Sequence, residues 1–168
     1  MQLGTTQEKL KALGVETMAV VNTLPERARL YFKYRPARVL LAADAEAATH
    51  RAFGVPLGTF VENDSESSWA QGKVTMGQVL ASRINPTGEL PEPLDPFAAL
   101  ETLNQRDGFE MTEVDQQIAA KFTLQLAGHF LLDRNGIIRW QQIEAIEGMA
   151  DLAKFPSDEE IVQAARSL

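Results

Sequence analysis

Short apolar runs alternate with amphipathic segments along the first third of the chain. Residues 15–22 and 37–44 are rich in aliphatic side chains and predict two short strands. The segments before, between and after these runs carry helix end signals and predict three helices. An order of helix, strand, helix, strand, helix is typical of an α/β fold with a largely parallel sheet.

Local signals mark the ends of these three helices. Thr5 and Glu8 form a predicted capping box for the first helix, and Gly14 is the expected glycine at its end. Pro25 lies near the first position of the second helix, where its missing N–H costs nothing. Asp44 is the predicted cap of the third helix.

A β-hairpin is the strongest local prediction later in the chain. Two apolar runs, 129–132 and 137–140, flank the tetrapeptide 133–136, Asp-Arg-Asn-Gly. Asp and Asn bond their own backbone in turns, and Gly136 tolerates positive φ. Because the strands are apolar on more than one face, we expect the hairpin to be covered on both sides. A calcium loop is disfavoured, since its Gly belongs at the sixth position and its Glu at the twelfth.

The middle of the chain, 56–127, has weak periodicity and five of the eight prolines. Segment 67–84 contains a strand or a short helix, and the pattern does not decide between them. Segment 84–96 is a loop, interrupted by Pro and Gly. The remaining predicted helices are 96–104 capped by Asp95, 113–122 capped by Thr112, and a C-terminal helix with a Ser157–Glu160 capping box.

Composition restricts the classes of function. The chain has 168 residues and a net charge of −7, which disfavours nucleic-acid binding. No apolar run is long enough to span a membrane and no signal pattern opens the chain, so a cytoplasmic protein is expected. With no cysteine, disulfides and thiolate chemistry are excluded in this chain. A basic cluster is interpreted as a solvated helix face: Arg27, Arg29, Lys33, Arg35 and Arg38.

Few side chains are candidates for a site. His129, in the hairpin, is either a ligand-binding or acid/base group of a cleft or a hydrogen-bonded strand histidine, the reading we favour. Trp69 either lines a binding face or covers the local core. Three carboxylates near one helix start are interpreted as dipole-complementing acids: Glu110, Glu113 and Asp115. No catalytic residue, metal ligand or cofactor is assigned.

Three stretches of the sequence, near its two ends, resemble a known protein family. The stretch LKALGVETMAVVNTLPERARLYFKYRPARVLLAADAEAATHRAFGVP, with GHFLLDRNGIIRW and PSDEEIVQAARSL, resembles the peroxiredoxin-like branch of the thioredoxin superfamily. That branch includes alkyl hydroperoxide reductase and thiol-specific antioxidant proteins. The resemblance covers about half of the chain, its two ends. It implies one thioredoxin-like domain over 1–168, with helices flanking a central mixed sheet and an insertion at about 57–126.

The resemblance implies a thiol peroxidase or disulfide oxidoreductase, an antioxidant whose thiolate attacks peroxide. This chain departs from the family pattern in three places. It has no cysteine, it lacks the family's first strand, and Ala127 stands where relatives place an arginine or a cis-proline. No catalytic residue is therefore carried over.

The first two departures suggest one cause. If Gln2 and Leu3 match the Gln/Glu-Leu that follows the family's cysteine motif, the cysteines would lie immediately upstream of Met1. The hypothesis is that Met1 is an internal methionine, or that the chain is a natural truncation. Without the central strand, the backbone groups of its neighbours would be buried and unpaired, unless the strands rearrange, pair directly or borrow a strand from a partner.

The sequence thus predicts a peroxiredoxin-like family member that is itself inactive in thiol peroxidase chemistry. Three alternatives stay open. The first is a cysteine-free thioredoxin-like binding module, whose insertion would carry an exposed apolar patch. The second is a truncated gene product without a function of its own, which predicts poor solubility or strand-borrowing oligomers. The third is a cysteine-independent enzyme, for which the sequence names no reaction. A homodimer is left open, and a thiol reductant partner is expected only if an upstream cysteine exists.

Overall fold

The computed structural model describes residues 2–36, 38–86 and 88–168. Met1, on which the hypothesis of a misassigned start rests, lies outside the described residues. Ala37, the first residue of a predicted strand, and Thr87, in a predicted loop, also lie outside them.

The described residues form a mixed α/β structure, as the alternation of elements predicts. The α-helices among these residues are α1 Gln2–Lys11, α2 Pro25–Tyr34, α3 Ala48–Ala52, α4 Met76–Ala81, α5 Pro96–Asp107, α6 Glu113–Lys121 and α7 Asp158–Arg166. The strands are β1 Met18–Val21, β2 Leu40–Ala43, β3 Thr59–Phe60, β4 Lys73–Val74, β5 Gly128–Leu132 and β6 Ile138–Ile143. Short 3-10 helices cover Asp64–Glu66, Trp69–Gln71 and Met149–Asp151.

The strands form three separate two-stranded sheets instead of one central sheet. Strand β1 pairs with β2 and β3 with β4, both in parallel, and β5 pairs with β6 in antiparallel. In the described part of the chain β1 and β5 are not paired with each other, so the direct pairing considered above does not occur.

The described residues divide into two compact units. Unit 1 comprises those within 1–49, 128–143 and 155–168, and unit 2 comprises those within 50–127 and 144–154. Unit 2 contains the whole predicted insertion. Whether the chain is one thioredoxin-like domain stays a prediction.

In unit 1, β1, α2 and β2 form a strand–helix–strand unit. Met18 lies opposite Leu40 and Val21 opposite Ala43. Pro25 is the first residue of α2, as predicted, because the first turn of a helix needs no N–H donor there. None of the eight apolar residues of β1 and β2 is fully buried.

The hairpin of unit 1 forms at the predicted turn. Asp133 Oδ1 accepts hydrogen bonds from the N–H groups of Asn135 and Ile137 at 2.8 and 3.0 Å, and Gly136 has a φ of 76°. The prediction that the hairpin is covered on both sides is wrong. Leu132 and Ile138, which face each other across the strands, are 42% and 41% exposed. Among the described residues, the hairpin pairs with no third strand.

The core of unit 1 joins its three segments. Leu131 of β5 packs with Leu10 of α1 and with Ile161 and Ala165 of α7. Trp140 of β6 packs against this cluster. Helices α1 and α7 therefore lie on the same side of the hairpin.

Two helix starts in unit 1 differ from the prediction. Helix α1 begins at Gln2, so Thr5 and Glu8 lie inside it instead of capping it. Helix α3 begins at Ala48, three residues later than predicted, because Ala47 takes the left-handed conformation at φ 51°. Asp44 therefore does not occupy the N-cap position, but its Oδ2 accepts a hydrogen bond from Thr49 N, in the first turn, at 2.7 Å.

Unit 2 is built from short elements held by caps. The undecided segment 67–84 contains both alternatives, β4 and α4, and α4 is opened by a Thr75–Gln78 capping box. The predicted caps Asp95 and Thr112 are confirmed. Helix α5 continues to Asp107, past the predicted end at Asn104, and Gly108 ends it at φ 67°. No helix in the described ranges is both long and apolar enough to cross a membrane.

Candidate functional site

The candidate site is an apolar cavity inside unit 2, with a volume of about 650 Å³. Segment 56–58 closes one side by pairing with segment 124–126 in antiparallel. Two hydrogen bonds hold that pairing, from Gly58 N to Leu124 O at 3.0 Å and from Leu126 N to Pro56 O at 3.1 Å. The volume lies within the range of small-molecule sites in proteins.

Trp69 lies in the wall of this cavity. It opens a 3-10 helix that ends at Gly72, which has a φ of 66°. Its indole Nε1 donates a hydrogen bond to Ala145 O at 2.7 Å. The ring therefore connects the 3-10 helix to the segment after β6, and its polar edge is used while its faces are left for packing. Its role in binding stays a prediction.

Glu144 is the buried carboxylate of the cavity. Its Oε2 accepts a hydrogen bond from Ala127 N at 3.0 Å, and its Oε1 accepts one from Ala153 N at 2.5 Å. The backbone N–H of Glu144 in turn donates to Ala127 O at 2.9 Å. A buried carboxylate must be hydrogen-bonded to be tolerated, and here the backbone supplies both donors. Glu144 therefore joins its own segment to those of Ala127 and Ala153 in the lining of the cavity.

Sequence reasoning missed Glu144. The available signal was a single acidic residue between the apolar residues Ile143 and Ala145, directly after a predicted strand. That signal is weak because such positions are often exposed. Only the structure brings its two backbone donors together.

His129, the other candidate, lies in unit 1 on β5, opposite Gln142 of β6. Its ring centroid is 5.8 Å from that of Phe155, and its Nδ1 is buried without a hydrogen-bond partner in the described part of the chain. Burial lowers the pKa of His129, and a hydrogen bond with Gln142 offsets only part of this effect. Because the two candidates belong to different units, no site is built from both.

The structure gives no support to a calcium site at the hairpin turn. The backbone N–H of Ile137, foremost, and the Arg139 side chain hold the pKa of Asp133 below its ordinary value. Its Oδ1 accepts the backbone hydrogen bonds of the turn, and its Oδ2 lies 2.7 Å from Arg139 Nη2. Within the described ranges, no group of three or more acids and histidines could hold a metal.

The other charged clusters have structural roles. Asp115 completes a capping box with Thr112 at the start of α6, as expected of acids near a helix start. Arg35 of the basic cluster lies over the Tyr31 ring, with Cζ 5.8 Å from its centroid. Arg29, Lys33 and Arg38 are exposed, which agrees with a solvated helix face.

Comparison of the chain with models of protein families, with curated protein sequences and with solved structures found no match. The function is therefore argued from the residues and the geometry described above.

Proposed function

We propose that this chain is a peroxiredoxin-like member of the thioredoxin superfamily that performs no thiol chemistry by itself. The observation that carries the proposal is the architecture of unit 1. It contains helix α1, the parallel β1–α2–β2 unit, the antiparallel hairpin and α7, in the order that the resemblance implies. Leu131 packs against both α1 and α7, so the hairpin and these two helices share one core, which agrees with the proposal.

The exposure of the unit 1 strands also supports the proposal. Adjacent parallel strands with apolar residues at every position are normally covered on both faces. Here β1 pairs only with β2, β5 pairs only with β6, and Met18 and Leu40 are exposed. The family pattern has a further strand between the equivalents of β1 and β5, and among the described residues no strand pairs with both.

The lack of cysteine decides the chemistry. Attack on a peroxide by this family requires a thiolate, and the sequence contains no cysteine to supply one. The chain thus cannot form the sulfenic acid intermediate.

A binding function is the second candidate, and unit 2 favours it. Its cavity is predominantly apolar, and large apolar side chains around it are exposed, among them Leu57, Leu100 and Ile146. Contiguous exposed apolar side chains are typical of ligand and partner sites. The binding-module alternative expects such a patch in the insertion.

A thiol peroxidase assay tests the first proposal. The purified chain is mixed with hydrogen peroxide or an alkyl hydroperoxide and dithiothreitol, before and after treatment with iodoacetamide. We expect the uncatalysed rate in both cases, since no thiolate is present to react. Robust turnover by the untreated chain would contradict the proposal.

The intact mass of the protein from its own cells tests whether the natural product is cysteine-free. A mass above 18.5 kDa together with an alkylatable thiol would indicate a longer redox enzyme, and the cysteine-free reading would fail. A mass that matches this chain, together with the absence of an alkylatable thiol, would favour the binding module or the truncated gene product.

A further inference from the structure

We infer that the unit 2 cavity binds a neutral, largely aromatic small molecule. This inference deepens the binding function proposed above and rests on it. It does not depend on the peroxiredoxin-like assignment, because every residue that lines the cavity belongs to unit 2.

The lining of the cavity is partly buried and partly exposed. Val74, Val79 and Leu126 are buried. Phe97, Leu100 and Ile146 are exposed, so the cavity has apolar side chains that a ligand can reach from solvent. Concave, mostly apolar linings are the usual form of a small-molecule pocket.

The charges of the lining exclude an anionic ligand. Among the described residues that line the cavity, Glu144 is the only charged one, and no lysine, arginine or histidine is present. An anion would find no cationic side chain in the lining and would face a carboxylate. Lys121 Nζ lies 5.1 Å from the Phe122 ring centroid, but Lys121 is not a lining residue. Both oxygens of that carboxylate already accept backbone hydrogen bonds, so its charge is satisfied within the protein.

The polar groups of the lining disfavour a peptide ligand. Trp69 Nε1 donates to Ala145 O, Thr123 Oγ1 donates to Ala119 O at 2.7 Å, and Gln125 Nε2 donates to Pro56 O at 2.8 Å. Gln71, an exposed residue of the lining, adds one further amide. A polypeptide that entered would bring several backbone N–H and C=O groups, more than a single amide can satisfy. A molecule with few polar atoms has few hydrogen bonds to water to lose when it enters the cavity.

The aromatic side chains indicate the class of the ligand. Trp69, Phe97 and Phe122 all line the cavity. Aromatic rings prefer offset or edge-to-face contacts with other rings, which adds to the free energy of apolar burial. A ligand with two or three rings matches both the lining and the volume of about 650 Å³.

Fluorescence titration with two matched probes tests the inference. N-phenyl-1-naphthylamine is neutral, and 1-anilinonaphthalene-8-sulfonate carries the same rings with an added sulfonate. We expect the neutral probe to bind saturably at one site per chain. The sulfonate should bind about tenfold more weakly, because its charge would be buried without a partner.

A matched pair of variants locates the site. Leu100 lines the cavity and Leu80 does not; both are helical leucines of unit 2, 42% and 45% exposed. Leu100→Glu should weaken the neutral probe about tenfold, since it places a charge in the lining. Leu80→Glu should change its affinity less than about twofold, because surface substitutions away from a site have small effects. Circular dichroism checks that both variants fold.

Each other outcome has a defined meaning. No saturable binding of the neutral probe, or equal effects of the two variants, would overturn the inference. Tighter, Leu100-dependent binding of the sulfonate would overturn the neutral ligand and leave the binding function intact. Displacement of the probe as the chain dimerises on size-exclusion chromatography would also overturn it, since a second copy would then be the occupant. The peroxidase assay is unaffected by any of these results.

Discussion

Trp69 and Ala145, 76 residues apart in the chain, are joined by a hydrogen bond of 2.7 Å from the indole Nε1 to the backbone carbonyl. Trp69→Phe keeps an aromatic ring but removes this donor, while the carbonyl keeps its other hydrogen bond, from Gly148 N at 3.2 Å. We expect the free energy of unfolding to fall by about 0.5–1.5 kcal/mol. Urea denaturation measures the change, and an unaltered midpoint would show that the bond contributes nothing.

Glu144→Gln should destabilise unit 2 although the side chain keeps its shape. One of the two acceptor oxygens becomes an NH₂ donor that must face a backbone N–H, of Ala127 or of Ala153. We expect a loss of about 1–3 kcal/mol in the free energy of unfolding, because a buried donor is left unsatisfied. Glu147→Gln is the matched control on an exposed glutamate of the same segment. Equal melting temperatures for the two variants would contradict this role of Glu144.

Leu131→Ala should cost much more stability than Leu132→Ala. The two leucines are neighbours on β5, but Leu131 is buried in the unit 1 cluster and Leu132 is 42% exposed. We expect a loss of about 2–4 kcal/mol for Leu131→Ala, from lost burial and the cavity it leaves. For Leu132→Ala the loss should be below about 1 kcal/mol. Denaturation curves with similar midpoints would indicate that the hairpin is not packed against α1 and α7.

Asp158 should make the stability of unit 1 depend on acid pH. Its carboxylate accepts hydrogen bonds from Thr6 and, at 2.9 Å, from Lys9 Nζ, and these bonds lower its pKa. A lowered pKa in the folded state stabilises the fold above the unfolded pKa of about 3.9. This contribution is present at neutral pH and is lost as pH falls through the folded pKa.

Asp158→Asn therefore should lower the free energy of unfolding at pH 7 by about 1 kcal/mol and have little effect near pH ~2. Glu159→Gln is the control, since it removes a charge from the same helical turn and keeps both hydrogen bonds. Thermal melts over this pH range measure both variants. If the stability of both variants lost its dependence on pH to the same extent, that dependence would come from the net charge of the helical turn and not from the hydrogen bonds of Asp158.

His129 should give a second pH dependence, at higher pH. Because burial lowers its pKa, the unfolded chain takes up a proton before the folded chain does as pH falls. Stability is thus greatest above the unfolded pKa of about 6.5 and decreases as pH falls from there through the folded pKa. NMR titration measures the folded pKa directly, with His50→Gln used to assign the signal. A pKa at or above the ordinary histidine value would be inconsistent with the burial of this ring.

The local features of this fold could be read from the sequence because they depend on few residues. Asp95, Thr112 and Ser157 cap their helices as predicted, since each side chain needs only the next turn of backbone. The Thr75–Gln78 capping box was equally readable, and it would have resolved segment 67–84 in favour of a helix after a short strand.

The candidate site could not be predicted in the same way. Glu144 is buried because Ala127 and Ala153 bring their N–H groups to it, from 17 positions before and nine positions after. The separation of the strands into pairs also depends on long-range pairing, which alternation of apolar runs does not determine. The sequence identifies Trp69 as a candidate site residue, but nothing near it in the sequence predicts its hydrogen bond to Ala145 O.

The interleaving of the two units has a consequence for synthesis on the ribosome. The unit 1 cluster needs Leu10, Leu131 and Ile161, so α1 emerges long before its packing partners exist. Leu10 therefore remains without Leu131 and Ile161 throughout the translation of residues 50–127. Unit 2 has all its residues by position 154, whereas unit 1 needs α7 as well. The nascent chain therefore passes through a stage in which unit 2 can be complete while the apolar side of α1 is still available to chaperones.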